Sequence, residues 1–233
     1  MTRGPHTIGI LGGLGPEATM LLQRKVMDAV PGRDDRDHIP LLIDMNPQVP
    51  SRIAHLIEGK GEDPSPTLVK MARRLENAGC FALAMPCNTA HYYAGAITGA
   101  VKIPLLNMIN LAAEHAAQQV GKGGTVGILA SPALRQTGVL DLALEAQGIS
   151  VIWPERDAAM LMAIRQIKAE GPVPQARDAL MQASLELSAA GSQMQFIACS
   201  EFSLIADNVA DGAQSVDTVD LLAQAIVDAS NAD

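Results

Sequence analysis

Short apolar runs separated by amphipathic stretches recur along this chain, and they fall into two matching sets. Thr7-Ile8-Gly9-Ile10-Leu11-Gly12-Gly13 resembles Thr125-Val126-Gly127-Ile128-Leu129-Ala130-Ser131. Each run lacks polar alternation and ends in small residues, the pattern of a strand buried on both faces of a parallel sheet. A helical pattern follows each. In the first half Met20, Leu21, Arg24 and Met27 fall on helical spacing behind Pro16 and Glu17, and a proline suits the first helical turn. A second apolar run follows in both halves, Pro40-Leu41-Leu42-Ile43-Asp44 and Ile149-Ser150-Val151-Ile152-Trp153. Next come two amphipathic helices. One starts at Ser65-Pro66 and carries Leu68, Met71, Ala72 and Leu75 on one face; the other starts at Pro174 and carries Ala176, Ala179, Leu180, Ala183 and Leu187. Gly79 and Gly191 end them. Each leads into a third strand, Phe81-Ala82-Leu83-Ala84-Met85-Pro86 or Met194-Gln195-Phe196-Ile197-Ala198. The tail from Val216 predicts one helix, with Val219, Leu222, Ala223 and Ile226 inward.

Alternation of strand and helix predicts an α/β protein. The repeat predicts two pseudo-symmetric lobes, each a parallel sheet flanked by helices; if they face each other, a cleft lies between them. Residues 1–110 plus 213–233 are assigned to the N-terminal lobe, whose last helix returns to it; residues 111–212 form the second lobe. Open parallel sheets bind ligands beyond the carboxyl ends of their strands, which is where Gly12-Gly13, Ala130-Ser131 and the residues after each third strand fall.

Composition narrows the choice. Apolar residues make up 48% of the chain and aromatics only 3%, so the core is aliphatic. A net charge of −8 argues against nucleic acid or an anionic membrane as a partner. The Arg73-Arg74 pair reads as a solvated helix face. Neither an apolar signal core nor a stretch of transmembrane length is present, which predicts a cytoplasmic protein. Three cysteines make no even disulfide framework, as expected in a reducing compartment.

Two of those cysteines occupy equivalent places. Cys87 and Cys199 each close a third strand, at the same step beyond Gly79 and Gly191, and each is followed by a small polar residue, Asn88 or Ser200. A lone cysteine is most simply a small buried hydrophobe, and Cys80, with no polar neighbour, is read so. A pair recurring in a repeat is different. If the halves face each other, two thiols reach one carbon from opposite sides, one removing a proton and the other returning it. With a free thiol pKa of about 8.5, a thiolate and a thiol coexist near neutrality after modest tuning, and helix N-termini after each cysteine would favour the thiolate. Structural zinc would want further ligands at close spacing, and no C-x-x-C is present. His91, one turn after Cys87, either faces the site or is an ordinary surface or packing residue.

Gly13-Leu14-Gly15-Pro16-Glu17-Ala18 satisfies G-x-G-x-x-G/A, and Asp44 ends the next strand, as in a dinucleotide fold. Against that, Pro16 removes an N–H from the turn and the second half lacks the glycines. A small-anion site built from backbone N–H groups accounts for the same glycines.

Three segments resemble the signatures of the cofactor-independent aspartate/glutamate racemases, most closely the aspartate branch. These are Ile8-Gly9-Ile10-Leu11-Gly12-Gly13-Leu14-Gly15-Pro16-Glu17-Ala18-Thr19, Met85-Pro86-Cys87-Asn88-Thr89-Ala90-His91 and Cys199-Ser200-Glu201. The resemblance covers nearly the whole chain. It implies two pseudo-symmetric α/β lobes with the active site in the cleft between them, a homodimer, Cys87 and Cys199 as the acid/base pair, and no pyridoxal phosphate, metal or nucleotide. Carried over by position, Asn88, Thr89, Ser131 and Ser200 hold the α-carboxylate and amine. Arg52 and Lys168 match cations that pair with a side-chain carboxylate, a task that suits a planar guanidinium. Glu201 orients its neighbouring cysteine or binds the amine. Without the resemblance, Arg52 and Lys168 read as ordinary surface cations and Glu201 as a helix N-terminal carboxylate. The chain departs from the family at Ser200 (usually Thr), at Phe202 (usually Leu) and at Ser131-Pro132-Ala133-Leu134 (usually Thr-Asp-Gly-Thr). The stiffer, less polar loop bears on the substrate's side chain more than on the reaction.

The reading is therefore an amino-acid racemase, an isomerase acting on aspartate. Glutamate or another acidic amino acid is the nearest variant. A maleate isomerase-like or arylmalonate decarboxylase-like activity on the same scaffold is a second reading. A nucleotide-binding regulator using the glycine turn is a third, which leaves the cysteine pair without a role.

Overall fold

The computed structural model describes residues 4–232. Its first half runs β1 (Ile8–Gly12), α1 (Pro16–Asp28), β2 (Leu41–Met45), α2 (Arg52–Leu56), α3 (Ser65–Asn77), β3 (Ala82–Ala84), α4 (Ala94–Thr98) and β4 (Leu105–Leu106). The second half starts with α5 (Met108–Gln119), β5 (Thr125–Leu129), α6 (Pro132–Thr137), α7 (Val139–Ala146) and β6 (Ser150–Ile152). It continues with α8 (Asp157–Glu170), α9 (Pro174–Ala189), β7 (Met194–Ile197), β8 (Ser215–Asp217) and α10 (Thr218–Ser230). The strands make two four-stranded parallel sheets of identical order, β2-β1-β3-β4 and β6-β5-β7-β8. The chain divides into two compact units. Unit 1 runs to Met108 and takes back the segment from Val219; unit 2 is Ile109–Thr218.

The repeat extends to packing detail. In unit 1 a Cβ on Gly9 would sit 3.1 Å from the Leu75 side chain, and in unit 2 a Cβ on Gly127 would sit 2.9 Å from Leu187. Each central strand thus uses glycine to let α3 or α9 lie directly on it. The faces predicted for α3 and α10 are the buried ones: Leu68, Met71, Ala72 and Leu75, and Val219, Leu222, Ala223 and Ile226. Burying each large side chain stabilises by about 1.5–3 kcal/mol. In unit 1 the α3 residues join Leu11, Leu14, Met85, Tyr93 and Ile97 in one apolar cluster that includes Cys80 and Cys87.

Three local expectations need correction, and β4 has no counterpart among the predicted strands. On α1 the buried residues are Ala18, Thr19, Leu22 and Val26, whereas Met20 and Met27 are exposed; two stripes of that helix have helical spacing, and the sheet takes the one with smaller side chains. Residues 215–217 form β8, paired with β7 from Ile197↔Asp217 downwards, and α10 begins only at Thr218. Strand β4, two residues long, is likewise too short to show a period. Phe81 lies outside β3, partly exposed, and stacks on His6 at 4.0 Å between centroids. Among the described residues no helix is long and apolar enough to cross a membrane.

The glycine turn after β1 is sterically fixed. Gly13 has φ +88°, and a Cβ there would meet the Asn46 carbonyl carbon at 2.4 Å. Gly59 also has positive φ (+62°) but open space around it. Gly13→Ala is expected to destabilise by at least about 2 kcal/mol and to lower Tm by roughly 4 °C or more. Gly59→Ala, which carries only the backbone strain, should cost clearly less. Equal shifts in a thermal melt would show that the Asn46 contact relaxes freely.

Candidate active site

Each unit presents its cysteine at the carboxyl edge of its sheet. In unit 1, β1 and β3 end side by side, Ile10 opposite Ala84, so the Gly12-Gly13-Leu14 turn and the Met85-Pro86-Cys87 segment emerge together. In unit 2, Leu129 lies opposite Ile197, which brings Ala130-Ser131 beside Ala198-Cys199. All three cysteines are free thiols. Cys87 and Cys199 are 9% and 7% exposed, enough to separate them from the wholly enclosed strand residues before them. Burial pushes the Cys80 thiol up, in keeping with a packing residue.

Around Cys87, Asn88 and Thr89 are buried at the start of a short 3-10 turn, Thr89–Tyr93. Arg52 opens α2, and its guanidinium is aimed back at the same edge. Nη1 donates to the carbonyls of Val49 (3.3 Å) and Pro50 (2.7 Å), and Nη2 to that of Leu14 (2.9 Å). No carboxylate among the described residues pairs with it. Tyr93 Oη lies 2.7 Å from His55 Nδ1. Burial, followed by the Asp63 charge, lifts the Tyr93 phenol to about 12; Arg52 opposes the rise and Cys87 adds to it, so all three share one field. Neither Tyr93 nor His55 stood out in the sequence, because no local pattern links residues so far apart.

His91 is buried rather than a surface residue. Its Nε2 accepts the Met108 N–H (3.1 Å), so the ring proton is on Nδ1, which donates to the Cys87 carbonyl (2.9 Å). Burial pulls its pKa down to about 4, against the carbonyls of Cys87 and Leu106. The ring is neutral near pH 7 with both nitrogens engaged, which leaves it no proton to exchange with a substrate.

In unit 2 the predicted residues are joined by direct contacts. Cys199 Sγ donates to Glu201 Oε2 (3.2 Å), and Lys168 Nζ, from α8, donates to Glu201 Oε1. The carboxylate is buried between thiol and ammonium. Ser200 is buried beside them, while the Ser131 hydroxyl caps α6 by accepting the Ala133 N–H (3.1 Å). Burial, reinforced by the Glu201 charge, raises the Cys199 thiol well above its ordinary value, with Lys168 opposing. This reverses the expectation of a thiolate favoured by a following helix. The segment after Cys199 is only a four-residue 3-10 turn, Phe202–Ile205, and the nearest charge is negative.

Replacing Glu201 by glutamine removes that charge and keeps an acceptor near the sulfur. Iodoacetamide labelling of Cys199 at about pH 8 is expected to speed up by roughly tenfold or more, since a unit charge at contact distance is worth up to about 4 kcal/mol at an effective dielectric near 20. Peptide mapping separates Cys199 from Cys80 and Cys87. An unchanged rate would mean that Glu201 does not hold the thiol proton.

The features that suggested a dinucleotide have internal partners. The Gly13 N–H donates to Thr19 Oγ1, and that hydroxyl donates to the Gly15 carbonyl, both at 3.0 Å. That N–H is therefore not available to an anion. Asp44 is paired with Arg74 through Nε (2.9 Å) and Nη2 (2.5 Å). No group of three or more His, Cys, Asp or Glu that could hold a metal is gathered among the described residues.

In sequence and fold the chain is similar to known proteins. Residues 11–226 match the family model for Asp/Glu/hydantoin racemases. The chain is 25% identical over 228 residues to the broad specificity amino-acid racemase RacX of Bacillus subtilis (strain 168), covering 94% of this chain and 96% of that protein. Its fold superimposes on Picrophilus torridus aspartate racemase with a TM-score of 0.86 at 24% identity, covering 97% of this chain and 94% of that one. Glutamate racemase RacE1 of Bacillus anthracis gives a TM-score of 0.69 at 15% identity, covering 98% and 82%.

Proposed function

This chain belongs to the Asp/Glu/hydantoin racemase family and is an isomerase, and from that premise we propose that it interconverts L- and D-aspartate by proton transfer at the α-carbon. Cys87 and Cys199 act on opposite faces of that carbon. One sulfur, as thiolate, takes the α-proton and becomes a thiol. The electron pair left on carbon delocalises into the α-carboxylate, and the other thiol delivers its proton to the opposite face and becomes the thiolate. Fixed donors near the carboxylate, for which Asn88, Thr89, Ser131 and Ser200 are the candidates, stabilise the developing charge. The hydrogen bond from Cys199 to Glu201 supports Cys199 as the proton-bearing partner in the resting enzyme.

The observation that carries an acidic substrate is Arg52. It is a part-buried guanidinium at the Cys87 edge that bonds only backbone carbonyls. A cation so placed, with no carboxylate partner among the described residues, is suited to a ligand carboxylate. Lys168 is already engaged by Glu201, which favours a second reading: one cation serves the side chain, and the enzyme accepts a wider range of amino acids, as the name of the Bacillus relative says of that protein.

Incubation of the purified protein with each of L-aspartate, L-glutamate and L-alanine, without added cofactor and under reducing conditions, followed by chiral chromatography, tests the proposal. D-aspartate forming fastest supports it. Comparable racemisation of alanine supports the second reading. Silence toward all three, with fumarate formed from maleate, would overturn both.

A further inference from the structure

The fourth residue after each cysteine makes the same pair of connections in both units, although the two residues differ in chemistry. In unit 1 it is His91, which donates from Nδ1 to the Cys87 carbonyl and accepts at Nε2 from the N–H of Met108, the first residue of α5. In unit 2 it is Ser203. Its backbone N–H donates to the Cys199 carbonyl at 3.1 Å, and its hydroxyl donates to Oδ1 of Asp217, the last residue of β8, at 2.8 Å. Thr218, the next residue, donates from Oγ1 to the Ile197 carbonyl at 3.1 Å. Met108 and Thr218 are also where the chain passes from one unit to the other. Each cysteine loop is thus bonded to the point at which the chain leaves its unit.

We infer that His91 and Ser203 are matched positioning residues, each fixing its cysteine's carbonyl to the outgoing strand-to-helix junction and thereby setting the placement of its thiol. The claim rests on reading the cysteines as the acid/base pair. The difference in chemistry follows from the partner: at Met108 the partner is a backbone N–H, which needs an acceptor on a long side chain; at Asp217 it is a carboxylate, which needs a donor on a short one. His91 is 4% exposed and Ser203 6%, so water does not replace either bond readily. Neither residue need touch the substrate. A reaction that places a sulfur against a single C–H bond is sensitive to displacements well under 1 Å.

The test uses the full chain with His91→Ala, Ser203→Ala and the conservative variants His91→Gln and Ser203→Thr. Labelling of each thiol by iodoacetamide, resolved by peptide mapping, is the first readout. His91→Ala should change the Cys87 rate by about fivefold or more and leave Cys199 within about twofold; Ser203→Ala should do the reverse, and the conservative variants should restore both. The second readout is the primary deuterium isotope effect on kcat/KM with α-deuterated L- and D-aspartate. Weakening one thiol makes removal of a proton by that thiol more rate-limiting. The effect should therefore rise for one enantiomer in His91→Ala and for the other in Ser203→Ala, with kcat falling and KM little changed. If His91→Ala does not fold, His91→Asn, which can reach only one of the two partners, is read in the same way. Equal changes at both thiols in each variant, or none at either, would overturn the inference. Labelling needs no turnover, so it decides this point even if aspartate is not the substrate.

Discussion

Cys87→Ala and Cys199→Ala are each expected to lower aspartate racemisation by about a thousandfold or more, in both directions, since a positioned acid or base contributes roughly 10²–10⁴ and each direction needs both groups. Neither variant should keep one direction, because the thiol that accepts a proton from one enantiomer donates to the other. The fold should survive. Each side chain is a small group at a sheet edge, 9% and 7% exposed, and removing one sulfur leaves a void smaller than those of large-to-small core changes. Circular dichroism and melting of each variant check this, and Cys→Ser supplies a variant of nearly the same volume with a far weaker acid. A single alanine variant that racemised at the wild-type rate would end the two-thiol account.

Arg52→Ala should raise KM for aspartate by about a hundredfold with a smaller effect on kcat, because truncating one partner of a desolvated charge pair typically costs 2–5 kcal/mol. The same side chain ties the Val49 and Pro50 carbonyls to Leu14, so some loss will come from a looser loop. Arg52→Lys and a second substrate separate the two contributions. Lysine keeps the charge but cannot reproduce the fork. An amino acid without a side-chain carboxylate feels only the loop. The ratio of kcat/KM for aspartate over alanine should therefore fall steeply in Arg52→Ala. A ratio that stays constant would remove Arg52 from substrate recognition and leave it a structural clamp.

The strands and helices were legible because burial imposes a period, and the repeat was legible because two sets of periods matched. Strands β4 and β8 were not: they are two and three residues long, lack the longer apolar run that marks the equally short β3 and β6, and exist through pairing with β3 and β7. On α1 two stripes offer similar spacing, and only the sheet's geometry chooses which is buried. At the candidate site, Cys87 and Cys199 stand out by equivalent position. The contacts among their neighbours do not. Lys168 meets Glu201 through contact between α8 and the turn after β7, Arg52 reaches Leu14 across the sheet edge, and His91 finds Met108 beyond β4. These are tertiary contacts between single residues, and nothing local marks them. Cys199 differs: Glu201 stands two residues away in the chain, but only the fold shows its carboxylate accepting the thiol proton, with a short 3-10 turn where a helix is expected.

The most direct test of the central claim is the path of hydrogen at the α-carbon. L-aspartate is incubated with the enzyme in heavy water, and each enantiomer is examined early in the reaction by proton NMR and chiral chromatography. A thiol holds one proton, so the base returns only what it has just removed, while the opposite thiol delivers a solvent-derived deuteron. The account predicts D-aspartate carrying deuterium from the first turnovers while the remaining L-aspartate keeps its α-proton. Deuterium entering L-aspartate as fast as D-aspartate forms would mean that one group serves both faces, and would contradict it.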